Sequence, residues 1–497
     1  MKKKKELIII LGSLLVVVLS VSIAYFTTTI NSKNSNVSTS SAELKIVFTS
    51  GTGTIAGSEI EPGWSSGVNT FTVKNQSNDA YKYNIVIKDL INTFVTEGYL
   101  QYKITSTDGG YNMSDFKDVP KSTSATDTIL AYSVEIAKGA THTYNVEFRY
   151  LNSTTVNQNE DMGKKLSGTL FIEEGTTEPI PLYNKILADN PTISTRTDFS
   201  TTFTTTNTGT LFKSTESIAG STAKNVYYFA GNATNNWVKF GGFYWRIIRT
   251  NHDGSIRLLY SGTATDTTSG YIGTSYFNNT HNDSMYVGYM YGTSGTLASN
   301  RTNENDSTIK GVIDNWYSAN LSSYTKYIST EAVYCNDREV GSGTYSATGS
   351  TFYYALYTRL NPSTMTPTYD CTNSKDAFSG SNTEAKLTYP IGLMTADEIA
   401  YAGGYRYTDL SSPYTWYYLN SAGGSITGST YWWSLSPMNW NGYYSNVWAV
   451  FGSDKPGRLR SDNDSSAGVR PVISIKSDAL WSRGDGSPEN PYEIVYN

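Results

Sequence analysis

Short segments of alternating apolar and polar residues recur through residues 44–174 and limit what this part of the chain can form. In "YKYNIVIK" (residues 81–88), tyrosines and isoleucines occupy every second position, so they share one face of an extended strand. Turn sequences such as "EPGW" and "TDGG" separate about seven such segments. Because strands of this length and number pack as two sheets, the pattern predicts an antiparallel β-sandwich over residues 44–174.

Composition indicates folded β-rich domains and gives no sign of nucleic-acid binding. The chain has 497 residues, too many for one ordinary domain, and only 16% of them are charged. Aromatic residues make up 13% of the chain and include 40 tyrosines, whereas disordered chains are poor in aromatic residues. The formal net charge of −5 provides no basic field for a nucleic acid. We therefore expect two or three folded domains and no nucleic-acid partner.

The N-terminus has the charge pattern of an exported protein. Four lysines in "MKKKKE" precede an uncharged apolar run over residues 7–26, which is long enough to span a hydrocarbon core as a helix. The length of the run favours an uncleaved membrane anchor, whereas Ser22-Ile23-Ala24 and the polar tract after it favour a signal peptide cleaved after Ala24. Both alternatives place the bulk of the chain on the extracellular side of the membrane or in secreted form. We assign residues 1–26 to this signal or anchor and 27–43 to a polar tether.

Three motifs in residues 22–174 resemble the TasA/camelysin-like secreted proteins of Gram-positive bacteria, whose signals are cut by a SipW-type peptidase. They are "SIAYFT", "IEPGWSSGVNTFTVKNQSNDAYKYNIVI" and "NQNEDMGKKLSGTLFI". The resemblance implies a jelly-roll-like sandwich that in some members assembles into matrix fibres. Camelysin is described as a protease, but this segment has no HExxH or other zinc spacing, so we do not transfer that activity. At the start of a predicted strand, His142 is expected to be solvated.

A boundary between domains is predicted where the alternating pattern stops. The sequence "EEGTTEPIPLYNK" contains a glycine and two prolines, and a stretch rich in Thr, Asn and Ser follows it. We therefore assign residues 175–226 to a linker and a Thr/Asn/Ser-rich segment, and 227–497 to a second domain. Within that domain, "FYWRIIRT" and "SIRLLYSG" alternate around "NHDG" and predict a hairpin whose turn contains His252 and Gly254.

Two helices are expected in this second domain. "DSTIKGVIDNWYSANL" has apolar residues at helical spacing, with Asp306 or Ser307 as its N-cap. "TADEIAYAGG" combines a capping box, Thr395 with Glu398, and a glycine stop. Asp397 and Glu398 have an alternative interpretation as a pair of catalytic acids, although the cap alone explains Glu398.

Motifs over residues 227–496 resemble a domain of unknown function in Firmicutes surface proteins, which is similar to C-type-lectin-like folds of the formylglycine-generating-enzyme type. They include "YWRIIR", "YPIGLMTADEIAYAGG", "YWWSLSP", "AGVRPVISI" and "GDGSPENPYEI". The resemblance implies a C-type-lectin-like α+β domain, so the whole chain is expected to be mainly β with a smaller α+β part. Formylglycine-generating enzymes use reactive cysteines and copper. This chain has only Cys335 and Cys371, well before the expected region, so we do not transfer the enzymatic activity.

The same resemblance implies a ligand-binding face between "WWSLSP" and "GVRPV", because proteins of this fold that retroelements diversify vary there and favour Asn, Tyr, Ser and Asp. Rigid rings supply contact area at low entropic cost, and amides satisfy polar partners of several geometries. The alternative is that Trp440, Val447 and Trp448 are core residues and the others form solvated turns. The expected ligand-binding residues are Asn439, Trp440, Asn441, Tyr443, Tyr444, Asn446, Trp448, Arg458, Arg460, Asp462 and Asn463.

The cysteines and the oxygen-rich loops complete the sequence predictions. In an extracellular protein, Cys335 and Cys371 are expected to form one disulfide, the alternative being two separate buried thiols. The segments "DNDSS" (residues 462–466) and "NENDS" (residues 303–307) offer oxygen ligands for Ca²⁺ but lack EF-hand spacing. We expect no cofactor and no metal centre, with Ca²⁺ at one of these two segments as the alternative.

The combined interpretation is a non-enzymatic adhesion or binding protein of the bacterial cell surface, or a secreted one. Its β-sandwich stalk presents a lectin-like domain to an extracellular glycan or protein, and an uncleaved N-terminal segment would attach it to the membrane. One alternative is a structural subunit of an extracellular fibre or biofilm matrix, with self-assembly through the TasA-like domain. A second alternative is a glycan-active enzyme that uses acid pairs such as Asp397 and Glu398.

Overall fold

The structure is a computed structural model and divides into two compact units, Met1–Glu178 and Pro179–Asn497. It describes residues 46–50, 60–76, 79–176, 178–201, 203, 205–265, 270–406, 431–450, 458–462 and 466–496. The apolar run at 7–26 and the tether at 27–43 lie outside these residues. Among the residues that are described, no helix has the length and apolar character needed to cross a membrane.

In its described residues, the first unit contains two antiparallel sheets and one short 3-10 turn, Asn159–Asp161. One sheet has the strand order β1-β2-β7-β4-β5 and the other has the order β6-β3-β8. Its strands are β1 (Ile46–Ser50), β2 (Asn69–Asn75), β3 (Tyr81–Asn92), β4 (Leu100–Ser106), β5 (Lys117–Asp118), β6 (Ser122–Ile136), β7 (Thr141–Tyr150) and β8 (Leu166–Glu174).

Both sheets of the first unit bury one face against the same hydrophobic core. Every second residue of β4 and β7 is buried, as expected for strands with one covered face. Val146 of the five-stranded sheet and Ile85 and Leu170 of the three-stranded sheet belong to one cluster of buried side chains. The mainly β character predicted from residue alternation is therefore confirmed for this unit.

His142 is buried, so the expectation of a solvated histidine was wrong. Only 5% of its surface is exposed, because it lies on the same face of β7 as the core residues Tyr144 and Val146. Nδ1 of His142 lies 2.8 Å from the hydroxyl of Tyr83, which in turn contacts the hydroxyl of Tyr144 at 2.5 Å. Burial lowers the pKa of His142, and the charge of Asp108 only partly offsets this effect.

The second unit combines short helices with many strands. Its helices are α1 (Leu182–Asp189), α2 (Leu297–Asn300), α3 (Thr308–Asn320), α4 (Ala355–Arg359) and α5 (Ala396–Ala402), with 3-10 turns at Ser284–Val287, Ser322–Tyr327 and Ser374–Asp376. Its strands are β9 (Thr192–Ser194), β10 (Thr206–Asn207), β11 (Thr210–Glu216), β12 (Lys224–Tyr228), β13 (Asn232–Ala233), β14 (Trp237–Phe240), β15 (Phe243–Thr250), β16 (Ile256–Tyr260), β17 (Thr274–Ser275), β18 (Met290–Tyr291), β19 (Asn305–Asp306), β20 (Tyr334–Cys335), β21 (Val340–Ser342), β22 (Phe352–Tyr354), β23 (Ala377–Phe378), β24 (Gly392–Leu393), β25 (Tyr405–Arg406), β26 (Trp432–Trp440), β27 (Ser445–Val450), β28 (Arg458–Asp462), β29 (Ala467–Gly468), β30 (Pro471–Ile475), β31 (Trp481–Arg483) and β32 (Glu493–Ile494).

Two eight-stranded sheets form the framework of this unit. The first has the order β24-β30-β16-β15-β12-β11-β9, with β14 paired to β15. The second has the order β17-β29-β26-β27-β28-β25, with β22 and β21 added beside β26. The pairs β10–β13, β18–β19, β20–β23 and β31–β32 are separate. Among the described residues, buried side chains of both sheets and of the helices α1, α3, α4 and α5 belong to one large cluster, and a small separate cluster surrounds the disulfide.

The local predictions for the hairpin and the helices are confirmed. Strands β15 and β16 pair antiparallel, and Gly254 in their turn has a φ of 79°. The side chain of Ser307 accepts a hydrogen bond from the N–H of Lys310 and caps α3. At α5, Thr395 and Glu398 form the expected capping box, and Gly403 ends the helix with a left-handed φ of 116°.

Most of the predicted linker at 175–226 belongs to the second unit. Helix α1 buries Leu182 and Ile186, and β9 pairs with β11, which pairs with β12 at one end of the first eight-stranded sheet. The compact unit therefore begins at Pro179, not at residue 227. Threonine has high β propensity, so a Thr-rich sequence with a few apolar residues such as Leu211 can form an edge region of a sheet.

The expected disulfide between Cys335 and Cys371 is confirmed. It joins residues 36 positions apart, and their Cα atoms lie 5.8 Å from each other. Arg470 is also buried, and its guanidinium donates hydrogen bonds to the carbonyl groups of Tyr260 and Gly270 at 3.0 Å. These contacts satisfy the charged group within the core.

Candidate binding surface

A tight turn joins β26 and β27 in the region where we expected ligand-binding residues. The side-chain oxygen of Asn441 accepts hydrogen bonds from the backbone N–H groups of Tyr443 at 3.0 Å and Tyr444 at 2.7 Å. The N–H of Asn441 donates to the carbonyl of Tyr444 at 3.1 Å, and Gly442 supplies the positive φ of 95°. The turn therefore has a defined backbone conformation, set by its own sequence.

The two tyrosines of this turn project into solvent. Tyr443 is 76% exposed, the largest value among the large apolar and aromatic side chains that the structure describes as exposed, and Tyr444 is 45% exposed. The ring of His281 packs edge-on against Tyr444 with a centroid distance of 5.0 Å. The N–H of Ser445 donates to the carbonyl of His281 at 2.9 Å. Together, Asn441, Tyr443, Tyr444 and His281 form what we call the tyrosine turn.

His281 was not among the residues predicted for this surface. More than 150 residues separate it from Tyr444, and nothing in its local sequence "NNTHNDS" indicates a contact with the β26–β27 turn. Only the tertiary structure brings the two segments together. Asn441 was expected as a ligand contact, and its side-chain oxygen is engaged in shaping the turn.

Four of the predicted binding residues lie inside the unit and do not line an exposed face. Trp440 and Trp448 are fully buried, and the Trp440 indole N–H donates to the carbonyl of Gly349 at 3.0 Å. Asn439 and Asn446 are also buried, and the Asn446 amide donates to the side-chain oxygen of Asn439 at 3.0 Å. The physical reason is that β26 and β27 are interior strands of their sheet, with other elements packed over both faces.

The remaining predicted residues are only partly described. Arg458, Arg460 and Asp462 lie in β28, which pairs antiparallel with β27 so that Asp462 is opposite Val447. The structure does not describe their side-chain positions, and Asn463 lies outside the described residues, as do most of residues 462–466, one of the two candidate calcium segments. Their role in binding therefore stays a prediction.

In the other calcium candidate, residues 303–307, three of the polar side chains, those of Asn303, Asp306 and Ser307, have protein partners. Asp306 forms an ion pair with Lys310 at 3.1 Å, and the side chain of Asn303 donates to the carbonyl of Lys375 at 2.8 Å. The side chain of Ser307 caps α3. Across the described part of the chain, no group of three or more His, Cys, Asp or Glu side chains is arranged to hold a metal ion.

Asp397 and Glu398, the alternative catalytic acids, belong to a buried network of arginines and carboxylates. Oε1 of Glu398 lies 2.9 Å from Nε of Arg249 and 2.7 Å from Nε of Arg257, and Oε2 accepts a hydrogen bond from the N–H of Thr395. Asp397 accepts two hydrogen bonds from the guanidinium of Arg359, at 2.8 and 3.1 Å. Each carboxylate thus has a guanidinium partner in the interior.

Two further carboxylates belong to this network. Glu216 pairs with Arg249, and Asp337 pairs with Arg359. Burial by itself raises the pKa of Glu216, but the charge of Arg249 and a hydrogen bond from His252 outweigh it and lower the pKa to about 2. Burial raises the pKa of Asp337, and the charge of Arg359 opposes this without reversing it. The cavity between these groups measures about 20 Å³, room for about one water molecule. The network joins α5 to the sheet, and the cavity has no room for a sugar ring.

Comparison with protein-family models, curated proteins and solved structures finds no match to this chain.

Proposed function

We propose that this chain is an extracellular binding protein whose second unit recognises a glycan or protein ligand through the tyrosine turn. The observation that carries the proposal is the exposure of two adjacent tyrosines, Tyr443 and Tyr444, on a turn of fixed conformation. Tyrosine has few rotatable bonds, so it contributes a large amphipathic contact area at low entropic cost.

The surroundings of the turn favour recognition over a purely structural role. Strands β26 and β27 are buried along their full length, so the turn extends from a rigid part of the core. A binding loop that is rigid before binding loses less conformational entropy when the ligand arrives. The edge-on contact between His281 and Tyr444 limits the motion of one ring further.

The finer architecture is part of the same proposal. We propose that the first unit is a TasA-like sandwich that acts as a stalk, and that the second unit is a lectin-like domain. Two antiparallel sheets around a common core support the first assignment. The disulfide between Cys335 and Cys371 supports an oxidising, extracellular location, because such bonds are rare in the cytosol.

Binding to arrays of glycans and bacterial surface proteins tests the proposal. The full-length chain, kept in mild detergent because of its N-terminal apolar run, is compared with the double variant Tyr443→Ser/Tyr444→Ser. We expect the double variant to lose one or more of the ligands that the wild type binds, and to keep any ligand that binds elsewhere on the chain. Tyr276→Ser removes another exposed tyrosine of the same unit and serves as the matched control. Wild-type binding by the double variant would show that recognition occurs elsewhere.

A structural subunit of a fibre is the second candidate, and an unpaired strand edge in the first unit favours it. Within the described three-stranded sheet, β3 is central, so β6 and β8 each have one edge without a neighbouring strand. Such edges are able to pair with another chain. Electron microscopy of the purified protein distinguishes the candidates, because regular filaments would favour the fibre and single particles the binding protein.

A further inference from the structure

An open cleft in the second unit lies apart from the tyrosine turn in sequence and belongs to different strands. Its volume is about 540 Å³, within the range of small-molecule sites in proteins. It lies where β14, β32 and the 3-10 turn Ser322–Tyr327 meet. The residues that give it its chemical character are Lys239, Tyr324, Lys326, Tyr327, Glu493 and Tyr496.

A group of tyrosines gives the cleft rigid aromatic walls. The ring of Tyr496 stacks near that of Phe240, with a centroid distance of 6.1 Å, and packs edge-on against Tyr324 at 5.6 Å and Tyr327 at 5.2 Å. The N–H of Gly241 donates to the Tyr496 hydroxyl at 3.3 Å. Tyr496 is nevertheless 47% exposed, so much of its ring is accessible from the cleft.

Lysines on the walls make the cleft locally basic in a chain of negative net charge. Lys326 is exposed, and its ammonium group lies 5.0 Å from the ring centroid of Tyr327. Lys239 lies on the opposite segment, and its ammonium group is 5.9 Å from the ring of Tyr244. Glu493 is the acidic residue of the cleft, and Arg483 neutralises it through an ion pair at 2.8 Å.

A second cleft of about 280 Å³ shares Lys326 and Tyr327 with the first. It adds Lys476 and one acidic residue, Asp478. The two clefts therefore lie on either side of these two residues, and together we call them the groove. Among its lining residues lysines outnumber acids, and aromatic rings line one part. A groove of this kind accommodates more than one unit of an extended ligand.

We propose that this groove binds an anionic glycan, one whose sugar rings bear carboxylate groups. The C–H face of a sugar ring carries partial positive charge and packs favourably on the negative face of an aromatic ring such as that of Tyr496. Carboxylates of successive sugars would meet the ammonium groups of Lys239 and Lys326, and hydrogen bonds with charged partners are stronger than neutral ones. An acidic peptide would satisfy the lysines but would make no use of the exposed face of Tyr496.

Titration calorimetry with three defined probes tests this proposal on the full-length chain in mild detergent. The probes are a hexamer of galacturonic acid, the neutral maltohexaose and the peptide hexaglutamate. We expect the galacturonate hexamer to bind most tightly and its affinity to fall as salt is added, because exposed charges are screened. Affinity for hexaglutamate equal to or above that for the galacturonate hexamer would overturn the glycan assignment in favour of an acidic peptide.

Variants locate the binding within the groove. Lys326→Glu reverses one exposed charge and is expected to weaken galacturonate binding about tenfold, the loss that corresponds to one charged hydrogen bond. Lys213→Glu reverses an exposed lysine on β11, outside the groove, and is expected to bind as the wild type does. If both variants weaken binding equally, overall charge alone attracts the probe, and the proposal is overturned. It is also overturned if Lys326→Glu binds the galacturonate hexamer as tightly as the wild type does.

Two further variants separate this site from folding effects and from the tyrosine turn. Tyr496→Ala is expected to abolish binding of the galacturonate hexamer. Thermal unfolding of this variant shows whether the packing around Phe240 survives. The comparison with Lys326→Glu does not depend on that packing. Tyr443→Ser/Tyr444→Ser is expected to keep full affinity for the galacturonate hexamer. Loss of that affinity in the double variant would place the probe at the tyrosine turn and would overturn the assignment to the groove.

Discussion

Oε1 of Glu398 lies 2.7 Å from Nε of Arg257, and both side chains are buried in the second unit. The same oxygen lies 2.9 Å from Nε of Arg249. Glu398 also closes the capping box of α5, whereas the two arginines belong to β15 and β16. A single carboxylate therefore links the first turn of a helix to two neighbouring strands of the sheet.

Replacement of this carboxylate is expected to destabilise the second unit strongly. Glu398→Ala leaves two buried guanidinium groups without their shared partner, and loss of one member of a buried ion pair costs about 3–5 kcal/mol in the free energy of unfolding. Urea unfolding followed by tryptophan fluorescence measures the effect, because all tryptophans except Trp64 lie in the second unit. The exposed Glu489→Ala is the control, and a loss below about 1 kcal/mol for Glu398→Ala would contradict the network's importance.

The second unit is expected to lose stability in acid partly through Glu216. Its pKa is about 2 in the folded protein and 4.5 when unperturbed, so its contribution is complete above pH 4.5. Protonation of the carboxylate removes that contribution as the pH falls from 4.5 towards 2. Glu216→Gln should therefore be less stable than the wild type at pH 7, and the difference should shrink through this window. Urea unfolding at several pH values measures it, and a constant difference would contradict the assignment.

In the first unit, His142 is expected to make stability sensitive to mildly acidic pH. Burial lowers its pKa below the ordinary value of 6.5, so folding favours the neutral ring. The stabilisation by the neutral ring is fully present above pH 6.5, and it is lost as the pH falls through the lowered pKa of His142. Hydrogen exchange of peptides that cover β7, corrected for the intrinsic exchange rate, should show faster opening at low pH in the wild type. His142→Gln should show a weaker pH dependence, and an unchanged one would contradict this prediction.

The disulfide is expected to stabilise the second unit by constraining its unfolded state. Cys335 and Cys371 are 36 positions apart, and a closed loop of this length corresponds to about 4 kcal/mol in the chain-entropy model. Cys335→Ser/Cys371→Ser should lower the free energy of unfolding by about that amount, and reduction of the wild type should reproduce the loss. Equal urea midpoints for reduced and oxidised wild-type protein would show that the bond contributes little.

Local patterns in the sequence were sufficient to predict strands, turns and helix caps. Two-residue alternation gave β3 and β7, the glycine of "NHDG" gave the β15–β16 hairpin, and Thr395 with Glu398 gave the start of α5. The alternation also indicated that His142 is buried, because Tyr144 and Val146 lie two and four positions further along the same face of the strand. The expectation of a solvated ring rested on the position of His142 at the start of the strand, but the face that it shares with core residues determines its burial.

The sequence determined the elements whose cause lies within a few residues: alternation, capping side chains and glycines with positive φ. The tertiary structure decided which aromatic side chains face solvent, and it buried Trp440 and Trp448 while leaving Tyr443 and Tyr444 exposed. The reason is that exposure depends on what covers a strand, and the covering segments are far away in the chain. The same holds for Arg257 and Glu398, whose pairing follows from the packing of a helix on a sheet across more than 140 residues.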